Sequence, residues 1–272
     1  MTIHDAHTHI FPEKIAAKAT KSIGAFYEVS SMECSATVDN LITNSNEINV
    51  GFKLVCSSAV TKEQVDVIND FIISECKKNP LFVGFAALHP ETKNFEDVLD
   101  YCVSHGLRGI KFHPDFQKFN IDDKKAYPIY KSAAKRGLPI LFHMGDNRYD
   151  FSSPDRLKKV MLDIPDLKIM AAHFGGYMCW DRALDLPKSE NLFFDTSSSL
   201  SVIKKEMVYK FIEKFGDDKF LFGSDFPMWN SKKELDKYLN LNLGTESDEK
   251  ILHKNFEKLF NLTFNGGNEW VY

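Results

Sequence analysis

Long apolar segments are missing from this sequence of 272 residues. No stretch approaches the roughly 18 consecutive apolar residues that a membrane-spanning helix needs. The first residues also lack the basic and apolar regions of a secretory signal. We therefore expect a cytoplasmic protein without a membrane partner.

Paired cysteines and basic clusters are also missing. The five cysteines lie far apart and form no Cys-x-x-Cys pair, so the sequence predicts reduced thiols and no thiolate metal site. The net charge is −4, and the lysines and arginines are scattered among acidic residues. Because there is no basic stripe, we expect a small-molecule substrate and no nucleic-acid partner. A homo-oligomer stays open, since nothing in the sequence fixes the oligomeric state.

What the sequence does contain is a repeated alternation of apolar runs and helical segments. Strands that alternate with helices form a parallel sheet. This length and strand number fit one (β/α)8 barrel, the TIM-barrel fold, as a single domain over residues 1–272. An open doubly wound sheet is the alternative, because the pattern alone does not close a barrel. The eight predicted strands are 3–10, 52–58, 81–88, 107–113, 139–143, 168–173, 192–195 and 219–224.

Capping residues and glycines mark the predicted helix boundaries. Thr61 and Gln64 fit a capping box for a helix over residues 61–79, and Ser231 and Glu234 have the same spacing. The glycines that follow predicted helix ends are Gly106, Gly137 and Gly216.

The connection after the first predicted strand, residues 11–50, is the longest irregular segment. Short helices are predicted within it around residues 14–23 and 38–46. In a barrel this connection would lie over the mouth, where it could act as a lid.

The strongest functional motif lies at the end of the first predicted strand. Side chains two apart on a strand point the same way, so His7 and His9 are predicted to project together, with Asp5 below them on that face. His4 would then face away. Two converging neutral imidazoles can bind a divalent metal such as zinc. By itself, the pair also fits two solvated histidines.

Polar residues recur at the corresponding place on later predicted strands. They are His113, His143, His173 and Asp225. In barrel enzymes the C-terminal ends of the strands form the active-site face, so this recurrence favours a metal centre over chance. By contrast, the remaining histidines are interpreted as structural or solvated, namely His4, His89, and His105 and His253 in predicted helices.

This ordered set of motifs resembles the amidohydrolase superfamily. The motifs that carry the resemblance are His7-x-His9, His143, His173 and Ser224-Asp225-x-Pro227. The Gly-x-Lys-x-His-Pro stretch at residues 109–114 is similar to the branch that includes aminocarboxymuconate-semialdehyde decarboxylase and related hydrolases. The resemblance implies that His7, His9, His143 and Asp225 are metal ligands. It also implies that His173 faces the metal as a general acid or base, as a group that polarises the substrate, or as a ligand of a second metal.

The residue types agree with those implied roles. A metal held by three imidazoles and one carboxylate can keep a position for water and lower that water's pKa. Asp225 could accept the released proton, and His173 could pass it to the leaving group. Zinc is the favoured ion, and one ion is expected. A second ion stays open, because Lys111 lies in the predicted fourth strand, where some amidohydrolases carry a carbamylated lysine that bridges two metals.

Lys111, His113 and Arg148 are the candidates for substrate binding. Lys111 and His113 share one face by their period-two spacing. The alternative for Lys111 is that its stem packs while its ammonium pairs with a carboxylate. Arg148 follows the fifth predicted strand and could bind a carboxylate through both of its fork nitrogens, although most loop arginines are solvated.

Two reactions fit this predicted site. Hydrolysis of an amide, ester or lactone bond in a small anionic molecule by metal-activated water is favoured. Non-oxidative decarboxylation of a small carboxylic acid with the same ligands is the alternative. A binding protein that has lost catalysis is disfavoured, because Asp225 and His173 are both retained. A structural zinc is disfavoured because such sites usually gather cysteines from nearby positions.

Overall fold

The computed structural model describes residues 2–29, 32 and 34–264. Its strands pair in parallel in two sets, β1-β2-β3 and β4-β5-β6-β7-β8-β9. The strands are β1 (Ile3–His9), β2 (Val50–Cys56), β3 (Phe82–Gly84), β4 (Ala86–Ala87), β5 (Ile110–Phe112), β6 (Ile140–Phe142), β7 (Ile169–Ala171), β8 (Leu192–Asp195) and β9 (Phe220–Leu221).

The two strand sets are joined at Phe85, which lies between β3 and β4. The N–H of Phe85 donates to the carbonyl of Val55 at 3.0 Å, and the N–H of Ala86 donates to the carbonyl of Gly109 at 2.8 Å. The chain therefore pairs with β2 before Phe85 and with β5 after it. Strands β3 and β4 are two halves of the strand predicted over residues 81–88.

The opposite edges are joined where β1 meets the segment after β9. The N–H of Ala6 donates to the carbonyl of Phe222 at 2.8 Å, and the N–H of His9 donates to the carbonyl of Phe226 at 2.8 Å. Thr8 and Phe226 form an isolated parallel bridge. The sheet thus closes on itself, which confirms the (β/α)8 barrel and excludes the open doubly wound alternative.

Helices follow the strands around the barrel. They are α1 (Glu13–Phe26), α2 (Val38–Asn44), α3 (Val65–Lys78), α4 (Phe95–Ser104), α5 (Pro114–Gln117), α6 (Tyr127–Lys135), α7 (Pro154–Asp163), α8 (Trp180–Leu184), α9 (Lys205–Phe215), α10 (Ser231–Leu239), α11 (Thr245–Glu249) and α12 (Asn255–Phe260), with a π-helical turn at Lys250–Lys254. Among the described residues, no helix combines the length and apolarity that a membrane span requires.

One of the two predicted capping boxes forms. Thr61 and Gln64 make both of its hydrogen bonds at the 3₁₀ turn that leads into α3. The capping box predicted at Ser231 is wrong, because Asn230 is the N-cap of α10 and its side chain accepts from the N–H of Lys233. The hydroxyl of Ser231 donates instead to Asn44 Oδ1 at 2.9 Å.

The helix ends predicted at glycines are confirmed, since Gly106, Gly137 and Gly216 follow α4, α6 and α9 with φ of 90°, 67° and 90°.

Alternation along the strands separates the outer core from the barrel interior. Ile110 and Phe112 belong to the larger apolar cluster beneath the helices, whereas Lys111 between them lines the interior cavity. Leu141, paired with Lys111, belongs to a second apolar cluster that also contains Phe256 of α12. The barrel therefore carries an apolar lower interior, above which its polar strand ends collect.

Candidate metal centre

A cavity of about 580 Å³ is lined by residues at the C-terminal ends of the strands. This volume lies within the range of small-molecule sites. Its polar lining comprises His7, His9, Lys111, His113, His143, His173 and Asp225, among other residues. Its apolar lining includes Phe11, Ile15, Ile23, Phe26, Val67, Ile68, Phe71 and Phe116. Helix α1 and the segments next to it supply part of this wall, so the connection predicted to cover the mouth does line the cavity.

A bulge in β1 determines which side chains reach this cavity. The pairing register with β2 shifts between Asp5, which pairs with Lys53, and Thr8, which pairs with Val55. The carboxylate of Asp5 accepts from the N–H of Ser224 at 2.9 Å and does not line the cavity. The prediction that Asp5 shares a face with His7 and His9 is therefore wrong, because the extra residue of the bulge interrupts the period-two alternation.

His7, His9 and Asp225 bring their potential ligand atoms together. All three lie within 4.8 Å of one another. Asp225 Oδ1 is 3.6 Å from His7 Nε2 and 3.3 Å from His9 Nε2. The Asp225 backbone has φ of 59° and its N–H donates to the carbonyl of His7 at 2.8 Å. Burial opposes ionisation of Asp225, but its electrostatic interaction with His7 and its hydrogen bond to His9 hold its pKa well below the usual range. This set of imidazole and carboxylate donors fits a divalent cation.

His143 lies beside this group and contacts His173. His143 Nδ1 is 3.0 Å from His173 Nε2, and His143 Nε2 is 3.7 Å from Asp115 Oδ2. His143 belongs to a second group of potential ligands, with His113 and Asp115. The structure thus brings three of the four sequence-predicted ligands into one group and places the fourth next to His173.

Asp195, at the end of β8, is a site residue that the sequence analysis missed. Its Oδ2 accepts from His7 Nδ1 at 3.0 Å, and its Oδ1 accepts from the N–H groups of His173 and Ser197, each at 3.0 Å. Burial opposes its ionisation, but the electrostatic interaction and the hydrogen bond with His7 keep the pKa of Asp195 below its usual range. The hydrogen bond at Nδ1 directs Nε2 of His7 toward the cavity, which is the orientation that a metal ligand requires.

Lys111 contributes a buried amino group to the floor of the cavity. Its Nζ lies 3.0 Å from His7 Nε2, and burial lowers the pKa of Lys111. Burial, together with the Lys111 charge, lowers the pKa of His7 to about 4. His7 is therefore a neutral imidazole at pH 7, the protonation state that a metal ligand requires.

His113 lies within a stack of aromatic rings. Its ring centroid is 3.9 Å from that of His143 and 3.7 Å from that of Phe116, and both pairs are nearly parallel. Its Nε2 lies 2.8 Å from the hydroxyl of Tyr27. Burial lowers the pKa of both His113 and His143 well below the usual value. The two rings are therefore neutral at pH 7.

Arg148 is the one predicted site residue that does not line the cavity. Its Nε and Nη2 donate to Asp146 at 2.9 and 2.7 Å, and its Nη1 donates to the carbonyl of Phe26 at 2.5 Å. The guanidinium that was predicted to bind a substrate carboxylate is thus paired with a carboxylate of the protein itself.

The histidines predicted to be structural lie outside the cavity lining. His4 accepts from the N–H of Phe52 at 3.0 Å and lies 3.1 Å from Glu257 Oε1. His105 is the C-cap of α4, and His253 lies in the π-helical turn.

Comparison with known families gives a match over nearly the whole chain. The sequence profile of the Amidohydrolase family matches residues 4–262. The chain therefore belongs to the amidohydrolase family, as its motifs indicated. No curated protein matches the sequence.

Solved structures share the fold at low sequence identity. A 2,6-dihydroxybenzoate decarboxylase bound to 2,6-dihydroxybenzoate is 18% identical with a TM-score of 0.72, over 96% of this chain and 100% of that one. A 5-carboxyvanillate decarboxylase from Novosphingobium aromaticivorans, bound to manganese and 4-hydroxy-3-methoxy-5-nitrobenzoic acid, is 15% identical with a TM-score of 0.74, over 96% of each chain. A putative 2-pyrone-4,6-dicarboxylic acid hydrolase from Pseudomonas putida is 12% identical with a TM-score of 0.70, over 96% of this chain and 97% of that one. At these identities the likeness establishes the fold.

Proposed function

We propose that this protein is a metal-dependent non-oxidative decarboxylase of a small aromatic carboxylic acid. The observation that carries the proposal is the division of the cavity into a polar floor around His7, His9 and Asp225 and a largely apolar wall. Decarboxylation was the alternative reaction in the sequence analysis. It becomes the main proposal because two of the three solved relatives named above are decarboxylases of aromatic acids.

The cavity suits a flat apolar ring that carries a charged group at one end. Phe26, Phe71 and Phe116 supply aromatic surface on the wall. Burial of a ring against such surface contributes roughly 25 cal/mol for each Å² removed from water. Lys111 at the floor supplies a positive charge for the substrate carboxylate, and His113 supplies a ring nitrogen near it. These contacts would orient the carboxylate toward the metal centre.

The ligands proposed for the metal are His7, His9, His143 and Asp225. When bound, the ion would supply a Lewis acid that holds an oxygen of the substrate. Zinc was favoured from the sequence, and one solved relative contains manganese. Imidazole and carboxylate donors suit both ions. Elemental analysis of the purified protein identifies the one bound.

Loss of carbon dioxide from an aromatic acid requires a proton at the ring carbon. As the carbon–carboxylate bond breaks, its electron pair stays on the ring, and a new carbon–hydrogen bond takes up that pair. His173 and Asp225 are proposed to hold and move this proton. The Nδ1 of His173 lies 3.1 Å from the carbonyl of Ser197, and its Nε2 lies beside His143. The contact between Nδ1 and Ser197 orients the His173 ring, so we propose that Nε2 is the atom that transfers the proton.

Hydrolysis is the second candidate, and the fold shared with the putative dicarboxylic acid hydrolase supports it. The same Lys111 would then bind the anionic group of a lactone or ester, while His173 and Asp225 would handle the protons of the attacking water. The two reactions differ in whether solvent oxygen enters the product.

The test is turnover of a panel of hydroxybenzoic acids, methoxybenzoic acids and aromatic lactones in water labelled with ¹⁸O. Decarboxylation predicts carbon dioxide release and an aromatic product without the label. An ¹⁸O-labelled carboxylic acid product would overturn decarboxylation and select hydrolysis. His173→Asn should abolish turnover, whereas His105→Asn, at the C-terminal end of α4 and outside the cavity lining, should leave it unchanged.

A further inference from the structure

Tyr27 is a cavity residue that the sequence motifs did not indicate. It is the C-cap of α1, directly after the last helical residue, Phe26. Its hydroxyl lies 2.8 Å from His113 Nε2 and 3.4 Å from His143 Nε2. The connection after β1 thereby places a phenol beside two of the histidines at the strand ends.

Arg148 ties the end of α1 to the loop that follows β6. Its fork binds both carboxylate oxygens of Asp146, and its Nη1 reaches across to the carbonyl of Phe26. Its guanidinium also lies over the ring of Phe26, 4.7 Å from the centroid. Asp146 in turn accepts from the backbone N–H of Arg148 at 2.8 Å. The loop thus contacts α1 through the Arg148 guanidinium, which Asp146 and Phe26 hold in place together.

The hydrogen bond from Arg148 satisfies the carbonyl of Phe26, the last residue of α1. The last carbonyls of an α-helix have no partner within the helix, and a cation near them is favoured by the helix dipole. Phe26 precedes Tyr27, so a bond to its carbonyl fixes the chain immediately before the phenol. Asp146 already accepts from Nε and Nη2 of Arg148, so this pair of nitrogens is not available to bind a substrate carboxylate.

We propose that Arg148 is a positioning residue, which together with Asp146 holds the Tyr27 hydroxyl against His113 and so sets the affinity of the cavity for its substrate. This assignment replaces the substrate-binding role predicted for Arg148. Only the identity of the substrate rests on the proposed function. The link between Arg148 and α1 stands on the contacts of the protein itself.

Hydrogen–deuterium exchange of the whole protein tests that link without any substrate. In Arg148→Gln, the amides in the last turn of α1 should exchange about 10-fold faster or more, because losing the tie favours local opening there. Arg156→Gln is the matched control. Arg156 lies in the same region and pairs with Asp122 and Asp150, without contacting α1. Unchanged exchange in Arg148→Gln, or equal acceleration in both variants, would overturn the proposal.

Kinetics test the consequence for the substrate. Tyr27→Phe and Arg148→Gln should each raise KM by about 10-fold with little change in kcat, as expected for lost binding contacts. The double variant should match either single variant, because both changes remove the same contact. Arg148→Lys should recover only part of the loss, since lysine lacks the fork. Additive effects on KM would contradict the proposal. If no aromatic acid is turned over, the proposed function fails, and the exchange experiment still decides the role of Arg148.

Discussion

Asp195 orients His7 through a hydrogen bond of 3.0 Å between Oδ2 and Nδ1. The same carboxylate accepts the backbone N–H of His173, so it organises two histidines of the cavity from beneath. Asp195 and His7 are both almost fully buried, at 0% and 1% exposure, so water does not compete for this bond. Their relationship explains why His7 presents Nε2, and not Nδ1, to the cavity.

The first prediction concerns this pair. Asp195→Asn should lower the affinity for the metal by about 10- to 100-fold, the usual effect of losing a group that orients a ligand. Competition with a chromogenic chelator measures the affinity. Ser199→Ala is the control, because Ser199 is equally buried but donates to the carbonyl of Ser197 and contacts neither histidine. Equal affinities in Asp195→Asn and the parent protein would show that the bond does not position His7.

The second prediction concerns Gly145, two residues after His143. Gly145 has φ of 79°, and a Cβ there would lie 2.5 Å from the backbone nitrogen of Tyr177. Gly145→Ala should destabilise by about 1–2 kcal/mol from the left-handed backbone, and by a further 1–3 kcal/mol from the overlap. Gly106→Ala isolates the first effect, because Gly106 has φ of 90° and nothing within 4 Å of the added Cβ. Urea unfolding compares them, and equal losses would contradict the predicted overlap.

The third prediction concerns the thiols of Cys76 and Cys102. Burial raises the pKa of each to about 12. Alkylation requires the thiolate, so iodoacetamide at pH 8 should leave both unlabelled in the native protein. Unfolding in urea should expose them to rapid labelling, which peptide mass spectrometry can assign. Rapid modification of either thiol before unfolding would show that its site opens to solvent.

The strand-end residues could be predicted because they depend on a local pattern. His113, His143, His173 and Asp225 each end an apolar run, and parallel strands bring such ends together whatever the details of packing. Asp195 ends the run at 192–195 in the same way. The pattern that marks the other four residues therefore also marks Asp195.

The remaining details depend on contacts between distant segments. The bulge that turns Asp5 away from the cavity arises from how β1 pairs with β2, which period-two alternation does not contain. Asn230 takes the cap of α10 while Ser231 is drawn to Asn44, across 187 positions. Arg148 was predicted to meet a carboxylate and does so, but the carboxylate belongs to Asp146. The folded chain around Arg148 determines which carboxylate its guanidinium binds, and the local sequence pattern does not contain that information.

The central claim is that His7, His9, His143 and Asp225 hold one divalent metal. Elemental analysis of the parent protein, His9→Ala and Asp225→Asn, with circular dichroism on the same samples, tests it most directly. We predict about one equivalent of metal in the parent protein and loss of most of it in both variants, with the helical signal retained because the ligands lie above a separately packed core. Full metal content in either variant would contradict the account.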